Sequence, residues 1–369
     1  MDSKKITIVS DGNGAVTAAA DLILKGHDVL LYNLKEKKDR MLVFNHELIL
    51  ADEETGKRSK VKIPWTTDPK KACEDARVIM YIMPGYAVET FAKKLAPYTD
   101  EDTIVFFNNA ACFAPLIYEK VKGDKQKYIM ETNNMSYATR FNRDTSEIAL
   151  SLRVKEVFCS SIDKKYDKEI LEVLREYLPQ LKEADDLVHN MLLNANPETH
   201  CAGCILNAGR IDYSEGEFYL YREGITENTL RVMRKVAKER RDIAKVLGYE
   251  LKGEYESRFD TGYFVEHGID FNTEDDKILF SFNNSPVFKD IIGPTSVRSR
   301  YFMEDLSLGL SKWEKMGQYL GVETKAITSL LNIGEVLEEE DLRGLGESVV
   351  EFSKVKEIID KNKELNGSD

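Results

Sequence analysis

Ile6-Thr7-Ile8-Val9-Ser10-Asp11-Gly12-Asn13-Gly14-Ala15 settles the architecture of the first half of this 369-residue chain. Ile6 to Val9 is a β-branched run of the kind that fits a pleated strand. Ser10 to Ala15 is a turn of small residues. Val16 to Lys25 is an Ala-rich helical stretch, and Gly26 offers a left-handed stop. A strand that passes through a small-residue turn into a helix is the context in which backbone can cradle a pyrophosphate. Aligned on the strand end, the pattern is Ser10-x-Gly12-x-x-Ala15. Gly12 falls where backbone must approach a diphosphate closely, and Ala15 where helix and strand pack tightly. The N–H groups and positive dipole end at the helix start favour an anion there. Ser10 stands where such turns usually carry their first glycine. The plain alternative is a strand-to-helix turn with no ligand. The context favours a dinucleotide site built on Ser10, Gly12, Asn13, Gly14 and Ala15.

Downstream, His27 to Asn33 reads as a second strand with Val29-Leu30-Leu31-Tyr32 at its centre. Val78 to Met83, Thr103 to Phe107 and Tyr128 to Glu131 are further strand candidates, and Ala87 to Leu95 is a helical pattern among them. Nearly all-apolar strands alternating with helices predict a doubly wound parallel sheet covered on both faces, an α/β fold of the Rossmann type. A ribose-binding acid is expected about 20 residues after the glycines. Asn33 stands in its place, followed by Lys35, Lys37 and Lys38. An acid there repels a 2′-phosphate, whereas Asn does not and the lysines attract one. This favours NADP(H), with NAD(H) as the alternative; a solvated charged loop is the reading without function. Met83-Pro84-Gly85 closes its strand at the carboxyl edge of the sheet, where ligands sit in open α/β folds. Met83 and Pro84 therefore join the candidate cofactor residues, with Pro84 shaping the loop.

Composition narrows the partners. Lys plus Arg number 52 against 64 Asp plus Glu, a net charge of −12. So acidic a chain repels phosphate backbones, and no nucleic-acid partner is expected. Five cysteines without scaffold density suit a reducing compartment. No apolar run reaches the roughly 18 residues of a membrane span. Met1 to Lys5 is polar and leads straight into the first strand, so no signal peptide is expected. The expected location is cytoplasmic, without membrane association.

From Asp186 onward the alternation stops and helical spacing takes over. The expected boundary lies near Glu183 to Leu187, giving residues 1–185 as a nucleotide-binding domain and 186–369 as an α-helical substrate domain. Leu187, Val188, Met191, Leu192 and Ala195 recur at helical spacing. Asn196 reads as an N-cap with Pro197 at the first helical position, and that helix is expected to run to Ala208 and stop at Gly209. Asn196 and His200 then share one side of the helix start. Thr226 to Leu247 is a strong helix with Leu230, Met233, Val236, Ala237, Ile243, Ala244 and Leu247 on its apolar face, ended by Gly248. Lys312 to Leu331 reads as two helical pieces around Gly321. Of the five histidines, His27, His46 and His267 look incidental and His189 superficial. His200 sits in the apolar stretch His200-Cys201-Ala202-Gly203-Cys204-Ile205. A lone histidine on such a helix is more often a packed core residue than a working one. Cys201 and Cys204 form a CxxC with no second ligand pair, so packing rather than metal or redox chemistry is expected, and no metal site is assigned.

Several stretches together resemble the opine dehydrogenase family, the octopine/nopaline dehydrogenase and N-(1-carboxyethyl)norvaline dehydrogenase group. They are the Gly12-Asn13-Gly14 turn and Glu131-Thr132-Asn133-Asn134-Met135-Ser136-Tyr137-Ala138-Thr139-Arg140. Leu206-Asn207-Ala208-Gly209-Arg210-Ile211 follows, then Phe218-Tyr219-Leu220-Tyr221-Arg222-Glu223-Gly224 and Arg300-Tyr301-Phe302-Met303-Glu304-Asp305. The likeness runs from about residue 5 to about residue 335. It implies a helical second domain of the 6-phosphogluconate dehydrogenase C-terminal type. It also implies an NAD(P)-dependent oxidoreductase acting on the CH–NH group of secondary amine dicarboxylates. The synthetic direction condenses an amino acid with an α-keto acid, pyruvate being the family's commonest. The family's catalytic histidine falls on His200, its partner aspartate on Asp305, the preceding asparagine on Asn196 and the preceding arginine on Arg300. Such helical domains often pair, so a homodimer is expected. Two positions depart from the pattern: Cys201 replaces the usual proline after the histidine, and Ser10 replaces the first glycine.

Chemistry suits these assignments. Loss of carbonyl oxygen as water and protonation of the new amine call for an acid–base group near neutrality, which histidine supplies. A carboxylate on its other ring nitrogen fixes the tautomer. An arginine grips a substrate carboxylate with two hydrogen bonds. The plain alternatives are a surface acid at Asp305, a solvated basic pair at Arg298 and Arg300, and a mere cap at Asn196. Two rival functions share the plan: a reductase of a simple keto or hydroxy acid without amine, and a non-catalytic NADP(H)-binding sensor.

Overall fold

A computed structural model describes residues 5–109, 112–123 and 125–366. Residues 1–4 of the polar lead-in read above lie outside the described residues. The chain divides into two compact units, Met1–Asn190 and Met191–Asp369.

Among the described residues the first unit carries twelve strands: β1 (Lys5–Val9), β2 (Val29–Tyr32), β3 (Leu48–Asp52), β4 (Lys57–Val61), β5 (Trp65–Thr66), β6 (Ala76–Tyr81), β7 (Ile104–Phe107), β8 (Ile129–Thr132), β9 (Tyr137–Asn142), β10 (Glu147–Arg153), β11 (Val157–Ser161) and β12 (Leu181–Glu183). Eight of them form the main sheet, in the order β12-β11-β8-β7-β6-β1-β2-β5. From β8 to β5 every neighbour is parallel. The chain winds outward from β1 through β2 to β5, then returns to β6 and winds the other way through β7 to β8. This is the doubly wound Rossmann order, and its reversal falls between β1 and β6. β1, β2, β6 and β7 are almost entirely buried, as their unbroken apolar runs require.

Two features differ from the expected all-parallel sheet. β11 pairs antiparallel with β8 and carries β12 alongside it, reversing the last two strands. A second sheet, β4-β3-β10-β9, lies apart from the main one. It packs on the helix Asn13–Leu24: the Thr17 and Thr139 hydroxyls are 2.7 Å apart, and Asp21 accepts from the Tyr137 hydroxyl at 3.0 Å and from Arg153 at 2.7 Å. Asp21, buried, and Arg153, half-buried, therefore form an ion pair at the back of the nucleotide helix. β10 alternates, with Ile148, Leu150 and Leu152 buried and the residues between them half-buried.

The second unit is helical. Its central helix, Glu227–Val246, falls where expected, with Gly248 following at φ +83°; Thr226 is its cap rather than its first residue, its hydroxyl accepting from the Thr229 N–H. All seven residues of the expected apolar face are buried. Gly321, at φ +71°, separates Ser311–Leu320 from Lys325–Glu338 as expected. Elsewhere the punctuation differs. The helix Asn196–Ile205 is not capped by Asn196, which lies inside its first turn. Asn194, two residues earlier, accepts from the Asn196 N–H at 3.0 Å and does the capping. The helix ends at Ile205 rather than Ala208, and a new one, Ala208–Ser214, contains Gly209. The break falls at Asn207, whose amide donates to the carbonyls of Gly203 and Gly224. The stretch Gly253 to Asp290 holds the helices Glu254–Asp260 and Glu274–Asn284. Between Arg300–Glu304 and Ser311–Leu320, residues Asp305–Leu310 form a π-helical segment.

Candidate active site

In the first unit, the turn after β1 lies at the sheet's topological switch. The Ile82 N–H donates to the Val9 carbonyl at 3.3 Å, so the exits of β1 and β6 are side by side. Ser10 occupies φ +107°, a conformation that glycine adopts freely and serine does not. Its hydroxyl accepts from the Gly12 N–H at 3.2 Å, which ties the turn. Tight packing falls on Gly14, where a Cβ would lie 2.9 Å from Ile82 and 3.0 Å from Met135. Ala15 is fully buried beside it, while at Gly12 the nearest obstacle to a Cβ is the Ser10 hydroxyl at 3.6 Å. Space over Gly12 and a helix N-terminus behind it fit a diphosphate. Asn13 has its side-chain oxygen engaged by the Phe141 N–H at 3.1 Å, which fastens the turn to the second sheet.

At the end of β2, Asn33 is buried and its side chain accepts from the Leu34 N–H at 2.8 Å. Lys35 is exposed, with Lys37 and Lys38 beyond it. Arg40 and Arg143 both pair with Asp11, Arg40 at 2.8 Å. Met83 is buried and its carbonyl accepts from Asn109, while Pro84 precedes the helix Gly85–Leu95. Glu131, at the end of β8, is a residue the sequence motif contained without a role. One carboxyl oxygen accepts from the N–H groups of Cys112 and Ala114. Burial pushes its carboxyl up to about 7, against the pull of those backbone donors.

In the second unit, His200 and Asp305 are 105 residues apart in sequence and in contact in space. His200 Nδ1 lies 2.9 Å from Asp305 Oδ2, and both residues are nearly buried, at 7% and 6% exposure. A carboxylate only accepts, so Nδ1 donates and Nε2 carries the lone pair in the neutral ring. Tyr221 lies on that side, its hydroxyl 3.0 Å from Nε2. Tyr301 stands edge-on to the imidazole at 4.6 Å. Arg300 is exposed at the start of its helix, with its guanidinium over the Tyr301 ring at 5.6 Å. Asn196 is half-buried one turn before His200. Asp305 is thus no surface acid, and His200 has partners on both ring nitrogens. Sequence reasoning did not single out Tyr221 or Tyr301, because their importance lies in contacts across the fold.

The first turn of the His200 helix is anchored by charge. Glu198 is buried between Arg240 and Arg258, at 2.9 Å from each, and Arg258 also donates to the Thr199 hydroxyl at 2.7 Å. Burying one acid with two guanidiniums is stable only where every partner is satisfied. Cys201 and Cys204 are buried free thiols, and burial pushes both up beyond the ordinary thiol range. They are not poised for redox chemistry. His189, expected at the surface, is half-buried and faces Asp185 at 3.0 Å.

A Rossmann-type unit followed by a helical unit with a buried His–Asp pair is the plan of a nicotinamide-dependent oxidoreductase. Within that class, residues 183–337 match the α-helical domain of the NAD/NADP octopine/nopaline dehydrogenase family. The opine dehydrogenase of Arthrobacter sp. (strain 1C) is 26% identical over 352 residues, 95% of each chain. Octopine dehydrogenase solved with NADH and agmatine superposes with a TM-score of 0.69 at 18% identity, covering 90% of this chain and 89% of its own. Yersinopine dehydrogenase with NADP+ bound gives a TM-score of 0.66 at 13% identity, over 95% and 98%. The resemblance to the opine dehydrogenase family is borne out, by the family model over the helical half and by the Arthrobacter enzyme over nearly the whole length. No helix among the described residues is long and apolar enough to cross a membrane.

Proposed function

We propose that this chain is an opine dehydrogenase that joins an amino acid to an α-keto acid, most simply pyruvate, and reduces the product with NAD(P)H. The observation that carries the reading is the buried His200–Asp305 pair inside the matching domain. The amine adds to the keto carbon and water leaves, giving an imine. A hydride then reaches the imine carbon and a proton the nitrogen, giving a secondary amine flanked by two carboxylates. The cofactor supplies the hydride when bound, held through Ser10, Gly12, Asn13, Gly14 and Ala15, with Asn33, Lys35, Met83 and Pro84 around it. Residues 1–185 hold that cofactor and residues 186–369 the substrates. His200 moves the proton that leaves with water and the one that arrives at the amine, while Asp305 holds its tautomer and balances the imidazolium. Arg300 grips a substrate carboxylate and Asn196 orients a polar substrate group.

NADP(H) is the favoured cofactor. Asn33 and the exposed lysines after β2 present no acid at the ribose position, and Asp11 is occupied by Arg40 and Arg143. The chain is expected to act as a homodimer in the cytoplasm, and sedimentation at micromolar concentration tests the pairing.

The deciding assay is oxidation of NADPH and NADH by the purified protein with pyruvate, with and without a panel of amino acids. Oxidation that requires both pyruvate and an amine is expected. Oxidation with the keto acid alone would replace this reading by a simple reductase. Cofactor binding without oxidation across the panel would leave a nucleotide sensor.

A further inference from the structure

His200 has both ring nitrogens engaged, and this constrains how it exchanges a proton with anything outside the protein. Asp305 holds Nδ1 at 2.9 Å and the Tyr221 hydroxyl lies 3.0 Å from Nε2. With Nδ1 donating to the carboxylate, Nε2 accepts, and the phenol is the donor. Any substrate that is to meet His200 at Nε2 must either displace Tyr221 or use it.

Displacement is resisted on several sides. The Tyr221 ring stacks on Phe288, centroids 4.3 Å apart and 14° from parallel, and lies at 10° to Phe282 at 6.1 Å. Asn283 donates to the Tyr221 carbonyl at 2.7 Å and fixes the backbone. The residue is only 5% exposed. Asn207 and Thr229 donate to the carbonyl of Gly224, which closes the same segment. Well-packed interiors resist such rearrangement.

We propose that Tyr221 is the terminal proton-transfer group of an Asp305–His200–Tyr221 relay. This inference rests on the opine dehydrogenase reading above. When the substrate nitrogen gains its proton, the Tyr221 O–H bond breaks. The imidazolium Nε2–H bond breaks in the same relay and restores the phenol. His200 ends neutral, Asp305 stays a carboxylate throughout, and the proton has come from His200. For loss of water the relay carries a proton outward in the same sense, and between steps solvent returns a proton to His200 through Tyr221. Among the described residues, Asp305 and Tyr301 are the other ionisable side chains against the imidazole.

Tyr221→Phe keeps the stacked ring and removes only the hydroxyl. Its kcat for amine-dependent NADPH oxidation is expected to fall by roughly a hundredfold or more, with the KM for NADPH unchanged. Tyr219→Phe, on the same segment with its ring under Arg222, is expected to behave as wild type. A Tyr221→Phe enzyme within threefold of wild-type kcat overturns the relay. So does a change confined to KM. Should Tyr221→Phe fail to fold, fluorotyrosine at position 221 replaces it. That analogue keeps the stack and raises phenol acidity, so an unchanged kcat again overturns the proposal. If the wild type itself shows no amine-dependent oxidation, the opine reading fails, and 15N NMR of the His200 ring judges the relay contact alone. A shifted Nε2 signal in Tyr221→Phe supports the contact, and an unchanged one overturns it.

Discussion

The turn at Ser10 to Ala15 and the cluster around His200 make opposite use of the chain. The turn works through backbone: the helix start behind Gly12 offers its N–H groups, and the side chains matter mainly by being small. The His200 cluster works through side chains gathered from residues 200, 221, 301 and 305. A backbone site tolerates changes in side-chain identity provided that the conformation is held. Ser10 shows this, keeping a glycine-like φ of +107° with its hydroxyl on the Gly12 N–H. A side-chain site tolerates almost none.

The sharpest way to break that contrast is His200→Ala. Turnover is expected to fall by at least roughly a thousandfold with NADPH affinity nearly intact, read by steady-state kinetics and fluorescence titration. Near-normal turnover would remove His200 from the chemistry. Asp305→Asn keeps the shape but cannot balance an imidazolium, and a loss of roughly a hundredfold or more in kcat is expected; a KM effect alone would make Asp305 structural.

Glu131 sharpens the comparison from the first unit, since it is a side chain inside a backbone cradle. Its folded-state carboxyl lies at about 7, raised by burial from an ordinary 4.5. Folding therefore favours the protonated form. The stability it contributes is complete below about pH 4.5 and is lost as pH rises through about 7. Glu131→Gln stays neutral, so wild type should lose roughly 1–3 kcal/mol more than the variant between pH 5 and 8 in denaturant titrations. Parallel curves would place Glu131 outside the titrating set.

Smaller effects are expected where the backbone dominates. Asn33→Asp returns an acid to the ribose position, and the NADPH:NADH preference should fall by about tenfold. An unmoved ratio would mean that the lysines alone set it. Ser10→Gly should relieve the positive φ and raise Tm by roughly 2–4 °C, with the lost hydroxyl contact offsetting part of the gain. A lower Tm would show that the Ser10–Gly12 hydrogen bond outweighs the strain.

Legibility in the sequence followed the same division. The main sheet was readable because its buried strands are apolar on both faces and its turns carry small residues. The small sheet was missed because its edge strand β4 is charged: it reads Lys57-Arg58-Ser59-Lys60-Val61 and is mostly exposed. Helix ends were misplaced where a side chain, not a glycine, does the stopping, as at Asn194 and Asn207. His200, Asp305, Arg300 and Asn196 came from resemblance, since no spacing rule links residues 105 positions apart. The structure brings His200 and Asp305 into contact and sets Arg300 on Tyr301. Tyr221 lay inside the stretch Phe218 to Gly224 without a role; only the folded chain puts its oxygen on the imidazole.

The π-helical segment Asp305–Leu310 gives the His200 cluster a vernier adjustment. A π turn holds one residue more than an α turn, so Asp305 and the helix Ser311–Leu320 are out of ordinary α-helical phase with each other. Three close approaches surround the segment: Gly309 against Pro197, Gly334 against Leu306, and Gly346 against the Ser307 carbonyl. Removing a single residue from Ser307–Leu310 would return the helix to α phase and swing Asp305 by about 100° relative to Ser311–Leu320. One codon's length thus separates an aligned acid from a misaligned one.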